Sequence, residues 1–476
     1  MSDEEYGEVK QRIVPWPIDS YPPWGFATLA GAQHVFTLFG ATTLVPILFG
    51  HAMGMSTTEL GLFIATVYMV MGIATLIHVD ERIGSGLPIV QGSSFSFIPP
   101  LLAVFSSIKK NGGGVPQMMQ AMGGALIYGG IYELVVGYSG LIGLLKRYLT
   151  PVAIGPTIML IGFSLAGVAV SDAGTNWALS LLVVALIFTF SLILKSKKLN
   201  QFAVLSSVVI VYLVALFGTL VGWFPAGSAS HVDIAAIAKA RWIVWPTLFR
   251  YGAAETLKFN TMAFTGILAA YTASMIESVG DYYSVCYASG APEPSEHVIN
   301  WGIGSEGLGC IISGMMGGVG STSYTENIGV IAITGIASKR VIRMGSIILL
   351  IIGFIWKFGT VVATIPTPVI GGAYIALFGI IGGLGIQVLA RADLSSMRNI
   401  MIVAFAFLIG LGLPNWIQSN PLVINHAAWL ADILNGILGT GMAVGGLSAA
   451  ILDNIIPGTD RERGINAKAP RRVKTS

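Results

Sequence analysis

Apolar stretches recur along almost the whole chain, from residue 27 to residue 452, and many approach the roughly 20 residues that one bilayer-spanning helix requires. Lipid leaves such stretches little choice, because a helix satisfies its own backbone there and an open strand does not. Only 10% of the 476 residues are charged, whereas a soluble domain carries about a quarter. That leaves too little polar surface to solvate a globule of this size. A soluble enzyme, a nucleic-acid binder, a disulfide scaffold and a disordered chain are all excluded, and the lipid bilayer is the expected surrounding. A net charge of +3 implies no acidic partner. Cys286 and Cys310 fit no metal spacing, and neither a metal nor a cofactor is expected. The first 25 residues are polar and include Asp3, Glu4, Glu5, Lys10 and Arg12, so no cleavable signal is expected.

The apolar runs between punctuation give fourteen candidate spans: 27–50, 59–79, 90–108, 119–145, 153–172, 176–195, 201–223, 263–288, 303–318, 322–337, 341–363, 368–390, 398–414 and 425–452. The expected fold class is an all-α polytopic membrane protein. With the N-terminus inside, the cytoplasmic segments hold Arg82, Lys146, Arg147, Lys195, Lys197, Lys198, Lys339, Arg340, Arg343, Arg391, Arg398 and both tails, which is 19 of the 26 basic residues. The positive-inside rule therefore favours both termini in the cytoplasm. The longest polar insertion, 224–262, contains Trp242, Trp245 and Pro246 and is expected to form short helices along the interface.

Two spans do not read as ordinary helices. Segment 84–100 is GSGLPIVQGSSFSFIPP and segment 316–329 is MGGVGSTSYTENIG. Poor helix formers at membrane depth suggest broken helices, tolerated only where their free backbone groups are buried in protein or line a cavity. They are the third and tenth spans, so each is third in its half if the chain divides seven plus seven. Seven is odd, so the second half must enter the membrane in the opposite sense. Paired broken segments of this kind point to a transporter's site near the midplane. The plainer alternative is that glycine merely permits close helix packing.

Ionisable residues at membrane depth are costly and are functional candidates by default. His34 lies in the first span, although a lone membrane His often serves only as a hydrogen-bond partner to a neighbouring helix. Glu277 and Asp281 are four apart on one helix face. Glu306 opens the ninth span, where contact with headgroups or solvent is the simpler expectation. Glu326 follows the broken tenth segment's Tyr324 and Thr325. Neither Glu277 nor Glu326 has a basic residue at helical spacing, and an acid that can be neutral or charged is what proton coupling requires. An aromatic ring beside such an acid suits a flat heterocycle, since the ring stacks and the carboxylate accepts N–H groups.

At these residues the chain resembles the nucleobase/ascorbate transporter family, nucleobase:cation symporter-2, and among its members the bacterial and archaeal uracil and uracil-xanthine permeases. The family's tenth-span signature is matched by Glu326-Asn327-Ile328-Gly329 followed after four residues by Thr334-Gly335. Gln33-His34 matches its first-span pair, and Gly92-Ser93-Ser94-Phe95 its third-span element. Glu277 matches its eighth-span glutamate, and Glu306 the ninth-span acid before Gly-Leu.

The resemblance implies a fourteen-span inverted repeat whose broken third and tenth spans contain short strands. It implies a core domain of 27–150 and 256–365, a gate domain of 151–225 and 366–452, an extracytoplasmic loop at 226–255, and cytoplasmic tails at 1–26 and 453–476. Elevator-like movement of core against gate and a homodimer in the cell membrane follow from it. The substrate would be held by Glu277, Glu326, Phe95, Tyr324, Thr325, Ala41 and Ser94. Proton coupling would involve Glu277, Glu326, His34 and Asp281, with His34 supporting the broken third segment. Gln33, Asn327, Glu306, Gly329 and Thr334 would support the site. The implied function is nucleobase import by proton symport, not an enzymatic one. Glutamate at 326, which when ionised can only accept, favours uracil. Gly335 and Asp281 look more like the purine branch and keep xanthine open, and sodium coupling near Asp281 also stays open. An anion carrier on the same fold would present an Arg or positive helix ends rather than two glutamates. A channel would not accumulate solute against a gradient, and an enzyme would need a nucleophile with its base or a metal cluster.

Overall fold

The structure, a computed structural model, describes residues 14–142, 150–194, 202–424 and 428–465. Lys146, Arg147, Lys195, Lys197, Lys198 and His426 lie outside the described residues, as do the outer parts of both tails. Seven helices among the described residues are long and apolar enough to cross a membrane.

The first half of the chain runs α1 (Trp24–Met53), α2 (Thr57–Val79), strand β1 (Gln91–Ser93), α3 (Ile98–Lys110) and α4 (Val115–Tyr138). It continues through α5 (Pro151–Ser164), α6 (Ala166–Gly174), α7 (Trp177–Phe188) and α8 (Ala203–Leu220). Two short helices, α9 (Ile234–Lys239) and α10 (Ala253–Thr256), fill the long insertion, as its composition led one to expect. A similar order then returns: α11 (Thr261–Ser289), α12 (Glu296–Met316), strand β2 (Ser321–Ser323), α13 (Thr325–Thr334) and α14 (Lys339–Phe354) with α15 (Trp356–Ala363). Last come α16 (Thr367–Leu389), α17 (Met397–Ser419), α18 (Ala428–Leu438) and α19 (Gly441–Ile455).

Local chemistry sets these ends. Ser56 and Glu59 form a capping box at the start of α2. Asn260 accepts from the Ala263 amide at 3.0 Å to open α11. α1, α11, α12 and α13 each stop at a left-handed glycine, Gly54, Gly290, Gly317 and Gly335 respectively. Three spans expected to be continuous prove to be interrupted: 153–172 at Leu165, 341–363 at Ile355, and 425–452 between Leu438 and Gly441. The Ile355 break is met by the long insertion, where the Val244 amide donates to Phe354 O at 3.0 Å.

The two halves interlock. α2 lies against α14 and α15, and α4 packs along α12. The second contact is backbone on backbone: a Cβ on Gly130 would stand 2.7 Å from Gly307 O, and one on Gly307 would stand 2.6 Å from Gly130 O. Small residues allow this approach, which brings a membrane helix pair its dispersion contacts. Helices of 151–220 pack chiefly on those of 367–455, with α5 along α16 and α19.

The N-terminal segment is tied to the end of α13. The Trp16 amide donates to Gly335 O at 3.2 Å, the Ala337 amide to Trp16 O at 2.7 Å and the Lys339 amide to Ile18 O at 2.9 Å. Lys339 pairs with Asp19 at 2.5 Å and Glu81 at 3.1 Å. Arg340 lies 3.7 Å over the Trp24 ring. This strap therefore sits on the same face as the α2–β1 connection.

Candidate functional site

The broken third and tenth segments meet as a two-stranded antiparallel ladder, with Gln91 opposite Ser323, Gly92 opposite Thr322 and Ser93 opposite Ser321. The Ser94 amide donates to Gly320 O at 2.9 Å and the Tyr324 amide to Val90 O at 3.1 Å, lengthening the ladder at each end. The poor helix formers thus satisfy one another's backbone in a fully buried setting. Two glycines make room for rings. A Cβ on Gly92 would overlap the Tyr324 ring, and one on Gly320 would overlap Phe97. The Tyr324 hydroxyl donates to Ser93 O at 3.2 Å.

Each strand feeds a short helix, β1 through the turn Phe95–Phe97 into α3 and β2 directly into α13. Both helix N-termini, with their unpaired amides and positive dipole ends, therefore lie beside the ladder. A cavity of about 330 Å³ opens there, lined among others by Phe95, Glu277, Asp281, Tyr324, Thr325 and Glu326. The opposite wall comes from α5 and α16, through Ile158, Ile161, Leu377 and Ile381. The lining continues past Ser284 and Gln387 to Arg391, toward the ends of α11 and α16.

Five of the seven expected substrate residues thus share one cavity. Thr325 and Glu326 are exposed at the first turn of α13, and Phe95 is half-buried. Phe95 meets Phe378 of α16 edge-on, at 6.5 Å between ring centroids. Thr325 Oγ1 donates to Asp281 Oδ1 at 2.8 Å, while Asp281 Oδ2 has no hydrogen-bond partner among the described residues. Ala41 and Ser94 are not on the lining; both are buried, and Ser94 Oγ has no described partner.

The supporting residues differ in part from expectation. Among the described residues the hydrogen bonds of the His34 ring go to the tenth segment rather than to the third. Its Nδ1 accepts from Asn327 Nδ2 at 3.0 Å, and its carbonyl accepts from the same amide at 3.2 Å. α1 reaches the third segment through Thr42 instead, whose carbonyl accepts from Ser93 Oγ at 3.1 Å. Thr334 Oγ1 donates to Val330 O at 2.8 Å and accepts from the Ile336 amide at 3.2 Å, closing the end of α13. Around Gly329 the space for a Cβ is open. Gln33 is partly buried and its carbonyl accepts from Thr37 Oγ1 at 3.0 Å.

Glu306 requires the largest correction. α12 begins at Glu296 under a Ser295 cap, so Glu306 stands in mid-helix, 1% exposed, and touches neither solvent nor headgroups. Its carboxylate accepts from Ser323 Oγ at 2.5 Å, Ser278 Oγ at 2.7 Å, Tyr282 Oη at 2.8 Å and Gln91 Nε2 at 3.4 Å. One acid thereby fastens β1, β2 and α11 to α12. Sequence reasoning missed all four donors, for which spacing gave no signal. It also missed Glu133, a lone acid in the fourth span whose setting among glycines could have flagged it.

The sequence profile of the Permease family matches residues 26–419. The chain is similar to Solute carrier family 23 member 2 of Rattus norvegicus, 35% identical over 94% of this chain and 76% of the relative. Solute carrier family 23 member 1 of the same organism is 34% identical over 94% and 82%. Nucleobase-ascorbate transporter 5 of Arabidopsis thaliana is 31% identical over 93% and 88%. Among solved structures, the transmembrane domain of a cyanobacterium bicarbonate transporter, BicA, aligns with a TM-score of 0.57 at 15% identity, covering 88% of this chain and 99% of that one. SLC26A9 aligns with a TM-score of 0.59 at 12% identity, covering 90% and 65%. At such identities these two likenesses concern the fold alone.

Proposed function

The chain belongs to the Permease family, that of the solute carrier 23 and nucleobase-ascorbate transporters, and from that premise we propose that it imports a nucleobase, uracil first, by proton symport. The observation that carries this reading is the convergence of Glu277 and Glu326 on a cavity that also holds Phe95 and the N-terminal turn of α13. Uracil alternates N–H donors and C=O acceptors around a flat ring. The two carboxylates accept its N–H groups, the free amides of the helix start meet a carbonyl, and Phe95 stacks on the ring face.

In this reading the fourteen spans form an inverted repeat in the cell membrane, with both termini cytoplasmic. The core, 27–150 and 256–365, moves past the gate, 151–225 and 366–452, and carries the substrate with it. Exposed apolar residues of α7, α8 and α17, such as Leu181, Leu213 and Leu408, suit lipid or a second copy in a homodimer.

A purine such as xanthine is the second reading, favoured by Asp281, which lines the same cavity as Glu277. Uptake of labelled uracil with competition by xanthine, hypoxanthine, cytosine, urate and ascorbate tests the choice. Uptake driven by an imposed pH gradient, compared with a sodium gradient, tests the ion, and indifference to pH would sink the proton version. Glu277→Gln should abolish uptake while the protein remains in the membrane.

A further inference from the structure

Glu133 of α4 is fully buried, and both of its carboxyl oxygens lack a hydrogen-bond partner among the described residues. It lies three residues after Gly130, on the glycine face that α4 presses against α12. Its neighbours there are Glu306 and Cys310 of α12. The Cys310 thiol is engaged with the backbone of β2, donating to Ser321 O at 3.5 Å and accepting from the Ser321 amide at 3.4 Å. From α11, Tyr271 and Tyr282 face the same region. The Tyr271 hydroxyl is committed to Leu126 O at 2.9 Å, and Tyr282 donates to Glu306. α3, with Lys109 and Lys110, also packs on α4, and α10, with Glu255, meets α4 around Gly123 and Gly124. That is about 15 Å along the helix from Glu133.

Two carboxyls therefore share one buried region under opposite conditions. Glu306 receives four donors, an arrangement made for an anion. Glu133 is offered only the Cys310 thiol, a weak donor already turned to Ser321 O, and an ionised carboxylate so placed would lose its hydration with little in return. Charge on both would add like-sign repulsion at low dielectric. We propose that Glu133 is a proton-binding site of the membrane domain, neutral in this conformation. Because Cys310 and Glu306 link it to β2, its proton is bound or released according to how tightly α4, α12 and the strand pair are closed. The site is distinct from Glu277 and Glu326, and its first test does not depend on which substrate the protein carries.

Infrared spectra of the purified full-length protein in lipid vesicles read a protonated carboxyl directly. Wild type at neutral pH should show a protonated-carboxyl band that is lost in Glu133→Gln and retained in Glu306→Gln. Spectra of wild type and Glu133→Gln with the same band would overturn the proposal. Should Glu133→Gln fail to fold, Glu133→Asp keeps a carboxyl and must move the band; an unmoved band is equally fatal. A sodium-dependent rise in melting temperature that Glu133→Gln abolishes, with no band in wild type, would mean that residue 133 holds a cation and would also overturn it. In uptake assays Glu133→Gln should remain active and lose part of the pH dependence. An unchanged pH profile counts against the coupling to the strands even where nucleobase transport itself is confirmed.

Discussion

Ser323 of β2 donates to Glu306 of α12 at 2.5 Å, and Gln91, its register partner on β1, donates to both of them. The floor of the cavity is thus fixed to a buried carboxylate rather than to the backbone ladder alone. Glu306→Gln removes the charge and puts an NH2 group where hydroxyls now donate, so that Ser323, Ser278 and Tyr282 cannot all keep their present bonds. Hydrogen bonds to a charged group contribute about 1.5–3 kcal/mol each. The substitution should lower stability by about 3 kcal/mol and reduce uptake at least tenfold. Thermal melting of purified protein beside vesicle uptake measures both; wild-type values in each would refute the role.

Gly92→Ala places a methyl group inside the Tyr324 ring volume. The ring must leave the strand or the strand must part, and overpacking of this kind costs about 1–3 kcal/mol. The expected result is a raised KM, because Tyr324 and the adjoining Thr325 and Glu326 are displaced together. Gly329→Ala, with open space for its Cβ, should change KM little and serves as the control.

Asn327→Ala removes the amide that spans His34 Nδ1 and His34 O. It leaves the buried His34 ring nitrogen without its donor, a loss of about 1–3 kcal/mol. Because Asn327 directly follows Glu326, substrate binding should weaken along with stability. Binding measured by calorimetry on variants that still melt cooperatively separates the two effects.

At the cytoplasmic side in our reading, hydrogen bonds from Ser395 hold the Asp393 carboxyl below its ordinary range, and those from Thr459 and Ser396 do the same for Glu462. A lowered folded pKa means that the stabilisation is complete above the ordinary carboxylate pKa and is lost as pH falls through the lowered one. The contact in which the Asp393 amide donates to Glu462 O at 3.0 Å should therefore open only below about pH 4. Amide hydrogen exchange of residues 391–399 across that range checks it, and protection that is flat with pH would contradict it.

The sequence made the apolar spans legible because membrane helices announce themselves by length. It made the broken segments legible because Gly and Ser cluster where lipid tolerates neither loops nor strand edges. It misplaced Glu306 because the polar residues of 295–301 read as a loop, although Ser295 caps a helix there. The partner of His34 was not legible, since the pairing depends on how α1 crosses α13. Glu133 was passed over although it is a lone acid among glycines in the fourth span; what spacing could not show is that it would meet Glu306 and Cys310 of α12.

The strand ladder also imposes an order in time. Gln91 emerges from the ribosome 232 residues before Ser323, which at roughly 5–20 residues per second is an interval of about 12 to 46 seconds. Throughout that interval β1 lacks the chain that will satisfy its backbone, and the helices around it cannot close. A nascent chain halted before residue 321 should therefore resemble an unfinished client of the membrane's quality-control machinery, however well its first spans have inserted.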